Sequence, residues 1–248
     1  MRGLICGADN LRGLNSSLRT AAHEALAAAV REHGADPCTK RQAAAHEAGH
    51  AIVAWTFGQE LRSSRIERCR GAGSAGAWIG TTQASLPGRP SDKLTTSAED
   101  PSYAFRAAVD AMAGVCAELE VGLSHPASSV DEQFRAAAIC ADLSMVLRLP
   151  MEQLMAGAIL VASRALTVNR VQFDVLRVQL QERRRLNGHA LKGVLRRGHR
   201  LEWDKTALEA VALTRSDCDK IAEPYASLCR AAVTRWHETQ RARQGAAL

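Results

Sequence analysis

Two histidines and a glutamate stand close together in the segment AHEAGHAIVAW, and their spacing is typical of a metal site. His46 and His50 are four residues apart, so on a helix both imidazoles project from one face, one turn apart. Two imidazoles at this spacing can bind one zinc ion at about 2.0–2.1 Å. Glu47 follows His46 directly, where it can accept a proton from a water that the ion activates. The pattern predicts Zn²⁺ as cofactor, His46 and His50 as ligands, and Glu47 as the catalytic base.

An earlier segment, AAHEALAAAV, resembles this one but carries a single histidine, His23, with Glu24 beside it. One imidazole cannot hold a metal alone, so we interpret that segment as the solvated face of a helix. Gly49 is a further difference between the segment that carries His46 and His50 and the earlier segment. A glycine inside a helix costs about 1 kcal/mol relative to alanine, and its neighbours here are mostly alanines. We therefore expect something to pass close to the backbone at Gly49, and this strengthens the case for a site in the second segment.

The periodicity of the chain predicts a mainly α fold with a small antiparallel β-ribbon. A helix capped by Thr39 should run to about Phe57 and stop at Gly58, and another should open at Asp100-Pro101 and end at Gly122. Short β-prone segments around a glycine-rich turn predict the ribbon at 63–82. Further helices are expected at 16–33, 129–149, 151–185 (bent near 167–169), 189–197 and within 201–248.

Composition limits the classes of protein that the chain can represent. Apolar residues make up 46% and aromatic residues 4% of the 248 positions, which favours helix packing over a β-sandwich. Seven scattered cysteines without a CxxC pair exclude a disulfide framework and a cysteine-based zinc site. No apolar run approaches the roughly 20 residues of a membrane span. We expect a cytoplasmic protein, and the net charge of +6 is too modest to indicate nucleic acid.

Several segments together resemble the zinc-peptidase domain of the FtsH-type proteases, the proteolytic half of membrane AAA proteases. AHEAGHAIVAW is similar to the zinc helix of that family, and AMAGVCAELEVG (111–122) to its alanine- and glycine-rich helix. ASSVDEQFRAA (127–137) resembles the segment that supplies an aspartate ligand, and 157–195 resembles the closing helix and its Leu-x-Gly turn. The resemblance implies a helical zincin-type peptidase domain at 36–200, with helical extensions at 1–35 and 201–248.

The third metal ligand follows from the resemblance, which implies Asp131. Spacing alone leaves Asp131 open to a different role, because in SSVD an aspartate can cap the helix instead of binding metal. Glu118, which matches a glutamate of the family, is an alternative ligand and would make a His2Glu site. His125, in the connector before Asp131, is a further alternative.

The resemblance implies a zinc metalloendopeptidase that hydrolyses protein or peptide substrates. The membrane spans and ATPase module of the family have no counterpart in these residues, so we expect cleavage of flexible segments or an ATPase partner acting in trans. Self-assembly into a homo-oligomer is left open. The connector reads Ser124-His125-Pro126 where the family usually has Thr-Thr-Gly, and Val115 stands where it usually has arginine. These departures keep an alternative open: a non-cutting regulatory or partner-binding module with the peptidase fold. A basic helical nucleic-acid binder is a third, weaker interpretation.

Overall fold

The computed structural model describes residues 38–68, 77–85, 100–123 and 129–213, with a few isolated positions beyond them. Within these ranges the chain forms seven helices and one three-stranded antiparallel sheet, which confirms the predicted mainly α fold with a small β element. The helices are α1 (Lys40–Thr56), α2 (Pro101–Glu120), α3 (Val130–Leu147), α4 (Met151–Val168), α5 (Arg170–Arg183), α6 (Gly188–Leu195) and α7 (Trp203–Val211). The strands are β1 (Glu60–Arg68), β2 (Trp78–Ser85) and β3 (Arg185–Asn187). The helix predicted at 16–33 lies outside the described residues.

Helix α1 is the central element, and its neighbours surround it on all sides. It packs against α2, α5 and both long strands of the sheet. Its alanines are almost completely buried, because a helix enclosed on every side needs small apolar residues around its whole circumference: they are Ala43, Ala44, Ala45, Ala48, Ala51 and Ala54. The Thr39 hydroxyl accepts a hydrogen bond from the Gln42 N–H at 3.1 Å and so caps the helix, as predicted.

Gly49 lets α1 and α2 approach more closely than any larger residue would allow. A Cβ at position 49 would lie 2.6 Å from the carbonyl oxygen of Ala113 and would also collide with the Ala117 side chain. The expectation that something passes close to the backbone at Gly49 is therefore confirmed, and α2 is the segment that does so. Helix α2 begins at the predicted Asp100 cap, whose carboxylate accepts from the Tyr103 N–H at 2.9 Å. It ends before Gly122, which has a positive φ of 65°.

The sheet has the strand order β2-β1-β3, so β1 is central and β2 lies at one edge. The hairpin of β1 and β2 corresponds to the predicted ribbon but is longer, because it extends from Glu60 to Ser85. Strand β3 overlaps the Leu-x-Gly turn that the resemblance implies, here Leu186-Asn187-Gly188. It pairs with β1 between Ser63 and Arg65, and it places Leu186 in the core. A three-residue strand of this kind is fixed by long-range pairing, which local sequence does not reveal.

The predicted helix 151–185 is two helices, separated at Asn169. The Asn169 side chain donates to Thr56 Oγ1 at 2.9 Å and to the His199 carbonyl at 3.0 Å, and it accepts from the His199 N–H at 2.6 Å. Asn169 and Thr56 are completely buried, and these bonds join the end of α1 to the segment after α6. The C-terminal part of the core is thereby tied to the helix that carries the two histidines.

Two further observations concern the domain boundaries and the membrane. Helix α7, which opens the predicted extension 201–248, packs on the same core, with Trp203 against Phe57 and Phe105 at ring distances of 5.1 and 6.2 Å. The proposed domain division stays a prediction.

Among the described residues, α4 is long and apolar enough to span a membrane, but 61% of it is buried inside the fold, as in an ordinary core helix.

Candidate metal centre

The imidazoles of His46 and His50 lie side by side on one face of α1, as the spacing predicts. Their Nε2 atoms are 3.1 Å apart, and the ring centroids are 4.8 Å apart with the planes inclined by 64°. Both side chains are mostly buried, with exposed fractions of 15% and 19%. The two nitrogens therefore converge on one point at the edge of the core.

Glu132, in the first turn of α3, brings a carboxylate to the same point. Its Oε2 lies 3.0 Å from His46 Nε2, and its Oε1 lies 3.1 Å from His50 Nε2. The ligand atoms of these three residues all lie within 4.8 Å of one another. Asp131, the predicted third ligand, precedes Glu132 in α3, but its side chain lies outside the described residues, as does His125. The prediction for Asp131 therefore remains untested, and Glu132 is the carboxylate that the structure brings to the histidines.

Glu118 lies on the opposite side of His46 and belongs to the support of the cluster. Its Oε1 is 2.6 Å from His46 Nδ1, and its Oε2 accepts from the Gln42 side-chain amide at 2.9 Å. A carboxylate has no proton to give, so the network assigns a proton to Nδ1 of His46, and Nε2 is the nitrogen that faces His50 and Glu132. A carboxylate on the far nitrogen of a metal-binding histidine fixes its tautomer and orientation. The alternative in which Glu118 is itself the third ligand does not match this geometry.

Gly114 leaves the space on α2 that the His46 ring occupies. A Cβ at position 114 would collide with the imidazole of His46. Gly114 lies one turn before Glu118 on α2, so the same helix face that makes room for the ring also supplies the carboxylate that orients it. Together with Gly49, this glycine sets the spacing between α1 and α2.

Glu47 is buried beside the cluster and is held by the sheet. Its side chain is in contact with Gly80, where a Cβ would overlap the carboxylate, and its residue exposure is 4%. The Thr82 hydroxyl lies 2.6 Å from Glu47 Oε2 and 3.1 Å from the Glu47 carbonyl oxygen. The hydroxyl of Ser64, which is completely buried, lies 2.9 Å from that of Thr82. If Thr82 donates to the carboxylate, Ser64 must donate to Thr82, so the two hydroxyls form a chain that ends on Glu47.

The charges of the cluster shift the pKa values of its members in opposite directions. Burial acts to lower the pKa of His46, but the carboxylates of Glu132 and Glu118 outweigh burial and raise it well above its usual value. Burial acts to raise the pKa of Glu132, and the two histidines outweigh that effect and lower it. The pKa of Glu47 is raised, chiefly because its carboxylate is buried. A raised pKa lies closer to neutral pH, and general acid–base catalysis works best when the pKa of the catalytic group is near the working pH.

The donor atoms fit a small divalent cation. A tetrahedral ion with bonds of about 2.05 Å needs ligand atoms about 3.3 Å apart. His46 Nε2 and His50 Nε2 are 3.1 Å apart, and each lies near a different oxygen of Glu132, Oε2 at 3.0 Å from His46 and Oε1 at 3.1 Å from His50, all close to that value. Glu132 Oε2 is also buried without a hydrogen bond, although a histidine nitrogen lies beside it. Two imidazoles and one carboxylate with an unsatisfied oxygen form a donor set that suits zinc.

The sequence located part of this arrangement. His46, Glu47 and His50 lie together as the motif predicts, and Glu118 lies within the same network. Glu132, Thr82 and Ser64 were not singled out, nor were Gly80 and Gly114. One signal was available for Gly114, because it interrupts an alanine-rich helix as Gly49 does. No comparable signal marks Thr82 or Ser64, which are ordinary residues for a strand.

Comparison with known proteins adds no family to this description. No protein-family model matches the chain, and no curated protein matches it. The resemblance to the FtsH-type peptidases therefore rests on the motif residues alone.

Proposed function

We propose that the chain is a zinc-dependent metallopeptidase that hydrolyses peptide bonds of protein substrates. The observation that carries this proposal is the juxtaposition of three potential ligands, His46, His50 and Glu132, with a buried carboxylate, Glu47, that is not one of them. A purely structural metal site has four protein ligands and no use for an adjacent free base. A catalytic site has three ligands, an open position and a base within reach.

In this mechanism the residues of the chain have separate tasks. A bound zinc ion supplies Lewis-acid chemistry, which acidifies a water and polarises a peptide carbonyl. Glu47 accepts the proton of the attacking water and then donates it to the leaving amine nitrogen. Thr82 holds Glu47 Oε2, so that the other oxygen of the carboxylate is available for proton transfer. Glu118 keeps the proton of His46 on Nδ1, which leaves Nε2 free to bind the ion.

Strand β2 offers a route for an extended substrate. Within the described residues β1 is the only strand that pairs with β2, and at the start of β2 the Trp78 N–H donates to the Cys38 carbonyl at 2.8 Å, so the stretch beyond Trp78 has no second strand beside it there. Gly80 and Thr82 on this strand contact Glu47, which places the edge beside the candidate site. A peptide that adds to the edge by main-chain hydrogen bonds would be held next to the base. An ATPase partner acting in trans, if one is required, would deliver substrates to this edge.

The test combines metal content with cleavage. Purified wild-type protein should bind about one zinc ion per chain and should cleave casein or a quenched fluorescent peptide, and a chelator should abolish cleavage. Glu47→Gln should retain the zinc and lose at least about 100-fold in kcat, because it removes the general base. His46→Ala should lose the metal and the activity together.

Three outcomes separate the alternatives. If the wild type binds zinc and Glu47→Gln matches it in fold and metal content, but neither cleaves any substrate, the protein is a metal-containing binding module. If the wild type binds no divalent cation, the proposal fails altogether. Cleavage that survives both the chelator and Glu47→Gln would also overturn it, because the activity would then come from another source.

A further inference from the structure

Two buried glutamines donate to carboxylates of α2, one near each end of α1. The side-chain amide of Gln42, in the first turn of α1, donates to Glu118 Oε2 at 2.9 Å. The side-chain amide of Gln59, just after the end of α1, donates to Asp110 Oδ2 at 2.7 Å. The two glutamines have exposed fractions of 6% and 7%. The two bonds are alike in chemistry and burial, so any difference between them lies in what each carboxylate contacts next.

The carboxylate of Glu118 also contacts the candidate metal centre, whereas that of Asp110 does not. Glu118 Oε1 lies 2.6 Å from His46 Nδ1, so one oxygen of this carboxylate serves Gln42 and the other serves the histidine. In the described part of the chain, Asp110 makes neither a hydrogen bond nor an ion pair with a histidine of the cluster. Gln42 therefore acts on a carboxylate that orients a potential ligand, and Gln59 acts on one that does not.

The local sequence around Gln42 indicates only a capping role. Gln42 is the third residue after Thr39, and the pattern Thr-x-x-Gln is typical of a capping box at the start of a helix. The threonine half of the box is present, because the Thr39 hydroxyl accepts from the Gln42 N–H at 3.1 Å. The amide nitrogen of the Gln42 side chain, however, donates to Glu118 across the interface between α1 and α2. The cap thus fixes the backbone of Gln42, and the side chain makes a long-range contact.

A carboxylate that orients a histidine must itself be held in one orientation. The last torsion of a glutamate side chain is soft, so a donor on each oxygen restricts the rotation of the carboxylate plane. Gln42 and His46 are four residues apart on α1 and lie on one face of it, so the two groups that hold Glu118 are fixed relative to each other. Glu118 is only 1% exposed, so water does not readily replace a lost donor.

We propose that Gln42 is a positioning residue of the candidate metal centre. Through Glu118 it holds the His46 ring in the orientation that directs Nε2 to the metal. The inference rests on the proposed function in that zinc is the bound ion, and it adds a residue that contacts neither the ion nor the substrate. It assigns Gln42 no part in the chemical step.

Zinc affinity, measured by competition with a fluorescent chelator, tests the role of Gln42. Gln42→Met keeps the approximate volume of the side chain and removes the donor, and it should weaken zinc binding by about three- to tenfold. Gln59→Met is the matched control: it removes the equivalent bond to Asp110 and should change the affinity by less than about twofold. Both variants should lower the midpoint of urea unfolding to a similar extent, because each loses one bond between buried groups. A loss of stability alone would therefore affect zinc binding in both variants equally.

The decisive comparison repeats Gln42→Met in a Glu118→Ala background, where no carboxylate is left to position. If Gln42 acts through Glu118, the substitution should cost less than about twofold in zinc affinity there, since the effects of coupled residues do not add. A purely structural contribution of Gln42 would persist in full. Full persistence, or equal losses of affinity for Gln42→Met and Gln59→Met, would overturn the proposal.

A spectroscopic readout requires neither zinc nor cleavage. In ¹⁵N-histidine NMR spectra of metal-free protein, Gln42→Met should accelerate exchange of the His46 Nδ1 proton with water by at least about fivefold, and Gln59→Met should not. Gln42→Asn, whose amide is one methylene too short to reach Glu118, replaces the methionine variant if that protein does not fold. Unchanged exchange in a folded Gln42 variant would refute this inference alone. Wild-type protein that binds no zinc, or binds it and cleaves nothing, would refute the proposed function.

Discussion

The two sides of α1 that meet at the candidate metal centre are held in place by different forces. On the α2 side, close backbone packing at Gly49 and Gly114 sets the position of the His46 ring, and Glu118 then fixes its orientation. On the sheet side, hydroxyl groups on two strands hold the carboxylate of Glu47. Under the proposed function, the comparison teaches that metal affinity and proton transfer would be supported by separate parts of the fold. Changes on the helix side should affect metal binding and stability, and changes on the sheet side should affect turnover alone.

The largest effect should come from removing the proposed third ligand, Glu132, whose helix α3 belongs with α2 to the helix side. Glu132→Gln should lower zinc affinity by more than about 100-fold, since losing a direct ligand costs more than losing an outer partner. Asp131→Asn, one residue away and with the same loss of charge, serves as the control and should change the affinity by less than about threefold. Competition with a fluorescent zinc chelator measures both. The reverse result, a large loss with Asp131→Asn and a small one with Glu132→Gln, would return the ligand role to Asp131.

A smaller loss of metal affinity is expected when the outer carboxylate is neutralised. Glu118→Gln should weaken zinc binding by about 10- to 100-fold, because an amide no longer favours the proton on His46 Nδ1 as strongly. Glu120→Gln is the matched control: it lies on the same helix, but its carboxylate pairs with Arg170 at the surface. Equal zinc affinities for the two variants, measured by the same competition assay, would show that Glu118 does not tune the site.

The packing between α1 and α2 can be tested with a pair of glycine substitutions. Gly114→Ala should reduce the free energy of unfolding by about 1–3 kcal/mol, because the new methyl group collides with the His46 ring. Gly193→Ala, on α6, should instead be neutral or stabilising by up to about 1 kcal/mol, since no atom lies within 4 Å of a Cβ there and alanine favours the helix. Urea unfolding of the metal-free proteins measures both. Equal free energies of unfolding for the two variants would show that α2 does not pack tightly against the His46 ring.

These contrasts also explain how far the sequence could predict the structure. The histidines, the base, the caps at Thr39 and Asp100 and the close approach at Gly49 all depend on spacing within one helix or on the known cost of a residue type. Such local rules can be applied directly to a sequence. The assignment of α1 as a helix that carries both imidazoles on one face therefore needed no structural information.

The features that sequence could not supply depend on contacts between distant segments. Glu132 is one position from the aspartate that the resemblance indicates, and only the rotation of α3 relative to α1 determines which of the two carboxylates faces the histidines. Strand β3 exists because three residues pair with β1, and Asn169 ends α4 because its side chain meets His199 and Thr56. Thr82 matters because of its register with Ser64 in the pairing of β1 with β2, which local sequence does not reveal.

The smallest expected effects concern the hydroxyl chain of the sheet side. Thr82→Val keeps the shape of the side chain but removes the donor to Glu47 Oε2, and it should lower kcat by about tenfold with little change in KM or zinc content. Thr82→Ser retains the hydroxyl and should recover most of the lost rate. Ser64→Ala removes only the more distant donor and should reduce kcat by about threefold. Hydrolysis of a quenched peptide, followed in parallel with the zinc content, measures all three.

The serine variant decides whether Thr82 acts through its hydroxyl or through packing. If Thr82→Ser is as slow as Thr82→Val, the lost methyl group accounts for the effect and the residue has a structural role. If Thr82→Val also loses zinc, the helix side and the sheet side are not independent, and the separation between metal binding and proton transfer fails. Retained zinc, a lower kcat and rescue by serine together would establish that the sheet positions the base while the helices hold the metal.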